Sequence, residues 1–254
     1  MDPKECYNEL ASHYHLLFEN WESSIERQAG VLGPILRREC GPPNAARILD
    51  VACGIGTQSL GLAKLGFQIT GCDISPASIE RARREASQRN LDIQFSVADM
   101  LDLTGVDQSS FDAVICMDNA LPHLESTEQL IQAATQIRNK LRPKGFFMAS
   151  IRNYDLLIEE RPTVQGPSFY SDYGQRRIVF QVWDWLDERR YMFHLHITRM
   201  VAGEWQTFHT TAVYRALLRQ ELSDALNKAG FTKIRWLLPV ESGYFQPVVM
   251  ARVR

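Results

Sequence analysis

The chain has 254 residues, 45% of them hydrophobic and 23% charged, with a formal net charge of −2. Such a make-up suits a globular protein with one large domain, or one domain carrying an insertion. It provides no basic footprint for nucleic acid or an anionic membrane surface, no apolar stretch approaching the roughly 20 residues of a membrane span, and no signal peptide near Met1.

The five cysteines (Cys6, Cys40, Cys53, Cys72 and Cys116) are scattered, without a Cys-x-x-Cys pair, which points to a reducing cytoplasmic compartment. Residues 4–40 carry two helical stripes, Leu10-Tyr14-Leu17-Phe18 and Trp21-Ile25-Ala29-Leu32-Leu36, before Gly41-Pro42-Pro43 stops the pattern. Strands are then expected at 47–52, 67–72, 93–98, 112–116 and 145–150, alternating with helices at 57–65, 76–89 and 126–141. That alternation is the mark of a parallel sheet covered on both faces. From 152 to 215 it is lost, and the segments 177–185, 191–201 and 205–214 alternate apolar and polar residues as an antiparallel meander would. A helix at 217–229 and strands at 231–237 and 245–253 finish the chain. The expected organisation is a helical segment over 1–40, either plain packing or a lid, a core over 41–151, an inserted subdomain over 152–215, and a return to the core over 216–254.

The chemistry centres on Arg47–Gln58. An apolar strand (Ile48, Leu49, Val51) breaks into Gly54 and Gly56 and leads to a helix, placing backbone N–H groups at the sheet's carboxyl edge. The dinucleotide fingerprint is not completed, because Ser59 stands where its third glycine belongs. Asp50 is placed either to hold the turn or to meet a cation. Asp73 closes the second strand, where an acid accepts from a ribose diol, and Asp99 follows the third.

Together with Met117-Asp118-Asn119-Ala120-Leu121-Pro122-His123-Leu124 and Arg152-Asn153-Tyr154-Asp155, these motifs resemble the class I S-adenosylmethionine-dependent methyltransferases. The branch they resemble most is the glycine and glycine/sarcosine N-methyltransferases. The resemblance implies an α/β, Rossmann-like sheet, mostly parallel with an antiparallel C-terminal hairpin, plus the inserted meander. It implies S-adenosylmethionine as cofactor and a small amine or amino acid as methyl acceptor. Arg27 would pair with the cofactor's carboxylate. Asp50, Ala52, Gly54 and Gly56 would form the turn at its methionyl part, while Asp73 and Ile74 would meet the ribose and Asp99 and Met100 the adenine. Tyr14 and Met117 would complete the cofactor wall. Asn119 and Arg152 would hold an acceptor carboxylate, His123 would act as base or scaffold, and Tyr170 and Tyr214 would stand beside the reacting methyl. Asp118 departs from these relatives, which carry glycine there; its direction decides whether it acts on the acceptor.

Two clusters receive structural readings: Arg81, Arg83 and Arg84 as a solvated helix face, and His194, His196 and His209 as strand histidines rather than a zinc site. The functional alternatives are O- or N-methylation of a larger secondary metabolite, a non-catalytic binder of the cofactor, and a nicotinamide oxidoreductase. Oligomeric state is left open.

Overall fold

The computed structural model describes residues 2–172 and 175–254. Helix α1 (Pro3–Leu10) starts with the Asp2 side chain accepting from the Lys4 N–H and with proline in its first turn. A 3-10 turn, Tyr14–Leu17, precedes α2 (Trp21–Cys40), which the Asn20 side chain caps at Ser23. The helical pattern expected over 4–40 is therefore interrupted. Its physical cause is tertiary: the Arg177 guanidinium takes the carbonyls of Leu16, Phe18 and Glu19, which no helix then uses.

The core alternates β1 (Arg47–Val51), α3 (Thr57–Lys64), β2 (Gln68–Asp73), α4 (Pro76–Gln88), β3 (Gln94–Val97), β4 (Phe111–Cys116), α5 (Thr127–Lys140) and β5 (Leu141–Ser150). After it come α6 (Tyr154–Glu160) and four antiparallel strands, β6 (Val164–Asp172), β7 (Gln175–Trp185), β8 (Arg190–Val201) and β9 (Glu204–Arg215). The chain ends with α7 (Arg219–Lys228), β10 (Phe231–Leu237), the short α8 (Pro239–Ser242) and β11 (Val248–Val253). The seven-stranded sheet has the order β10-β11-β5-β4-β1-β2-β3. Strand β11 runs antiparallel to both its neighbours, so the C-terminal pair does not simply add at the edge: β11 enters between β5 and β10. The meander gains a fourth strand, β6, whose Gly166-Pro167 hides the alternation, and proline is tolerated there because β6 is an edge.

Strand pleating divides the core. Leu49, Val51, Val114, Cys116, Phe147 and Ala149 face a cluster shared with α1, α5, α7 and the inner face of the small sheet, including Trp183, Tyr191, Phe193 and Tyr214. Ile48, Ala113, Ile115, Phe146 and Met148 face the other way, against Leu32 and Leu36 of α2. Helices α2 and α3 meet closely at Gly61, where a Cβ would come within 2.7 Å of both Ala29 Cβ and the Ile25 carbonyl. That approach brings Gln28 of α2 against Gln58 of α3. Among the described residues no helix is long and apolar enough to cross a membrane.

Candidate active site

Because β4, β1, β2 and β3 are neighbours, their carboxyl ends form a continuous ledge with roughly 4.8 Å between strands. The residues just past each strand line one cavity of about 220 Å³: Met117 and Asp118 after β4, Ala52 to Gly54 after β1, Asp73 and Ile74 at β2, and Asp99 and Met100 after β3.

Asp73 is buried and fastens the ledge from two sides. Its Oδ2 accepts from the Gly54 N–H at 2.8 Å and its Oδ1 from the Ser75 N–H at 2.9 Å. Burial pushes its pKa up, against the pull of those two N–H groups. Gly54 adopts φ +55°, and a Cβ there would project into open space within 4 Å of nothing, so the glycine leaves a cradle that any side chain would fill. Ala52 also has positive φ, +65°. Asp99 Oδ1 accepts from the Leu101 N–H at 2.9 Å.

Asp50 and Gly56 stand behind the ledge rather than on it. Asp50 is fully enclosed and accepts from Ser59 Oγ at 2.6 Å, and burial raises its pKa to about 7. The serine in place of a third glycine thus locks the strand to α3, and of the two sequence readings of Asp50, holding the turn is the one observed. Gly56, at φ +95°, is the residue from which α3 starts.

The first residues of the chain roof the cavity. Asp2, Pro3, Tyr7 and Tyr14 all line it. Tyr7 Oη lies 3.0 Å from His123 Nε2 and 3.0 Å from Tyr214 Oη. The Asn8 side-chain Oδ1 accepts from Ser75 Oγ at 2.7 Å, and Arg81 donates to the Ala11 backbone carbonyl at 2.8 Å. His123 is sealed under this roof; burial lowers its pKa to about 4, so the imidazole is neutral near neutral pH.

Among the described residues the lining carries five carboxylates (Asp2, Asp73, Asp99, Asp118 and Glu125) and no lysine or arginine. Arg27, expected at the cofactor's carboxylate, is exposed on the outer side of α2 and, among the described residues, donates only to Ser24 of its own helix at 3.3 Å. A shift of one residue along a helix turns the side chain by roughly 100°, and it is Gln28 that points inward.

Asp118 and Asn119 both have strained, left-handed backbones, φ +55° and +69°, and their side chains take different partners. Asp118 turns toward α2 and α3 and away from Arg152. Its Oδ2 accepts from Gln58 Nε2 at 2.7 Å, and Tyr244 Oη donates to its Oδ1. Asn119 turns toward β5: its Oδ1 accepts from the Arg152 N–H at 2.9 Å and its Nδ2 donates to Tyr154 Oη at 2.9 Å.

The Arg152 side chain lies in an aromatic box, 4.8 Å from the Trp183 ring centroid and 5.6 Å from that of Tyr214. Nη1 donates to Tyr191 Oη at 2.9 Å and Nη2 to Gln181 Oε1 at 3.3 Å. Among the described residues no carboxylate pairs with it; Asp155, three residues on, binds Arg219 instead at 2.8 Å. Tyr214 bridges the two halves, its ring centroid 4.1 Å from that of His123 with the planes tilted by 39°. Asn119, Arg152 and Tyr214 are thus together but one layer behind the cavity wall. Tyr170 is not with them. It sits on the edge strand β6 with Arg177 at 4.9 Å over its ring, away from the lining.

The residues that sequence reasoning missed are Tyr7, Gln28, Gln58, Tyr244, Gln181 and Tyr191. Tyr191 and Gln181 occupy inward positions of the meander, so its alternation held a signal for them; nothing near Tyr244 announced a contact with Asp118. The histidines of the small sheet share its outer face, His209 stacking between His194 at 5.4 Å and His196 at 4.5 Å. Among the described residues no group of three or more His, Cys, Asp or Glu is placed to hold a metal.

Residues 48–145 match a family model described as a methyltransferase domain. Over 177 residues the chain is 30% identical to a glycine/sarcosine N-methyltransferase of Aphanothece halophytica, covering 69% of this chain and 67% of that one. Its fold is similar to that of DesVI from Streptomyces venezuelae, with a TM-score of 0.80 at 20% identity over 96% of this chain and 98% of the other. It is also similar to the S-adenosylmethionine-bound amino pentose methyltransferase CalS10 of Micromonospora echinaspora, with a TM-score of 0.71 at 21% identity over 91% and 92%. The ledge of acids, the glycine cradle and these likenesses lead to one conclusion: the chain belongs to the class I S-adenosylmethionine-dependent methyltransferases and uses that cofactor.

Proposed function

We propose that this methyltransferase methylates the nitrogen of a small amino acid or carboxylate-bearing amine. The observation that carries the reading is Arg152. A guanidinium enclosed by aromatic rings with no carboxylate of its own is an unfinished ion pair, and its planar fork suits an incoming carboxylate. The similarity to a glycine/sarcosine N-methyltransferase supports the same acceptor class.

Bound in the cavity, S-adenosylmethionine supplies a sulfonium methyl as the electrophile. Asp73, Asp99 and the Ala52–Gly54 turn would hold it along the ledge. Asn119 fixes the Arg152 backbone through its N–H, so the clamp is aimed before the acceptor arrives. The Tyr7–His123–Tyr214 seam keeps water out. With its pKa near 4, His123 is a wall of the site and not a store for the amine's proton, so the acceptor reacts as the free amine.

The test is transfer of a radiolabelled methyl group to glycine, sarcosine, dimethylglycine, the matching amines without a carboxylate, and alcohols. Carboxylate-bearing amines should lead. Equal rates with and without the carboxylate, or a preference for hydroxyl acceptors, would overturn the proposal.

A further inference from the structure

We infer that Asp118 is a cofactor-positioning residue, its carboxylate serving as the counter-ion for the cofactor's α-ammonium group. Four observations lead there. Asp118 lines the cavity at the end of β4, the terminal strand of a ledge whose opposite end is Asp99 after β3. An elongated ligand that sets its base at β3 and its ribose at Asp73 on β2 reaches β4 with its amino-acid end. The Asp118 carboxylate receives only neutral donors, Gln58 Nε2 and Tyr244 Oη, and no cation pairs with it among the described residues. With one donor on each, its oxygens keep acceptor capacity, and the residue lines the cavity. Finally, the carboxylate is locked in direction. Gln58 Nε2 also donates to Gln28 Oε1 at 2.7 Å, and Tyr244 Oη lies 2.7 Å from that same oxygen, so α2, α3 and the segment before β11 hold one fixed orientation.

The network explains why a charged residue stands where a glycine would relieve the left-handed backbone at φ +55°. It also explains how the site dispenses with an arginine at its methionyl end. The α-ammonium becomes the charged anchor, while the carboxylate end would meet the N-terminus of α3 at Thr57, a lining residue whose Oγ1 accepts from Trp21 Nε1 at 2.9 Å.

The inference rests on the placement of the cofactor in this cavity, and the experiment separates the two. Calorimetric titration would use wild type, Asp118→Asn and Asp73→Ala with three ligands: S-adenosylhomocysteine, its analogue lacking only the α-amino group, and 5′-methylthioadenosine, which lacks the amino-acid end altogether. Wild type should bind S-adenosylhomocysteine about 10- to 100-fold more tightly than the deaminated analogue, as expected for a charge-assisted contact. Asp118→Asn should erase that preference and leave 5′-methylthioadenosine unchanged. Equal binding of the two ligands by wild type overturns the assignment, even if the variant fails to fold. So does a loss in Asp118→Asn shared equally by all three ligands, which would make the residue a scaffold, or no change with any of them, which would send it back to the acceptor. Unaltered binding of 5′-methylthioadenosine by Asp73→Ala would instead remove the cavity placement itself.

Discussion

The hydroxyl of Tyr7 meets Nε2 of His123 at 3.0 Å, joining the first helix of the chain to the turn that follows the fourth strand. The same hydroxyl reaches Tyr214 at 3.0 Å, so one side chain closes the seam between roof, ledge and small sheet. Tyr7→Phe keeps the ring and removes both contacts. Each is worth about 1 kcal/mol, and the expected result is cofactor dissociation roughly five- to thirtyfold faster, read by stopped-flow fluorescence. An unchanged off-rate would show that α1 is packing and not a lid.

Asp73 offers a second test. Asp73→Ala removes the anchor of the Gly54 and Ser75 N–H groups, and with it the acceptor proposed for the cofactor's ribose. Cofactor affinity should fall by an amount on the order of 1.5–3 kcal/mol. The melting temperature should fall as well, because two backbone donors lose their partner. Full affinity in the folded variant would contradict the placement of the ribose.

Arg152 separates function from stability. Arg152→Lys retains the charge and loses the fork, so the acceptor's KM should rise about tenfold or more while cofactor affinity holds. Arg152→Met removes a buried cation that no carboxylate balances, and an uncompensated buried charge opposes folding. The variant should be inactive toward carboxylate-bearing acceptors yet melt no lower than wild type. A steep fall in melting temperature would make Arg152 a structural residue.

His123 gives a pH signature. Its folded pKa of about 4 lies below the ordinary 6.5, so the unfolded chain takes up the proton first and stability falls as pH drops through that window. Asp50, raised to about 7, has the opposite sign there, holding its proton in the folded state. The quantity to measure is therefore a difference. Relative to His123→Gln, wild type should lose up to about 3 kcal/mol of unfolding free energy between pH 6.5 and 4. A constant difference across that window would mean the imidazole titrates normally.

Much of this was legible in the sequence because it depends on local pattern. The βα alternation sets the ledge, and Gly54, Asp73 and Asp99 each sit at a strand end, the place where chain order and spatial order agree. The failures occur where contacts join distant segments. Arg27 and Gln28 are adjacent, and only the close approach of α2 at Gly61 decides which one faces inward. The contact of Asp118 with Tyr244 spans 126 residues and follows from β11 entering the sheet beside β5, a choice that no local composition encodes. Tyr170 was placed by likeness in a stretch where the motif is loose, and the edge position of β6 carries it away from the cavity.

The cavity's charge has a consequence for turnover. Among the described residues five carboxylates and no lysine or arginine line it, and methyl transfer converts a sulfonium into a neutral thioether, withdrawing one positive charge from among them. The wall therefore favours the loaded cofactor over the spent one, and exchange of spent for fresh is driven by the protein's own field. Because that preference is electrostatic, raising the ionic strength should narrow the gap between the two affinities. Product inhibition would then be weakest in dilute salt and grow as the carboxylates are screened.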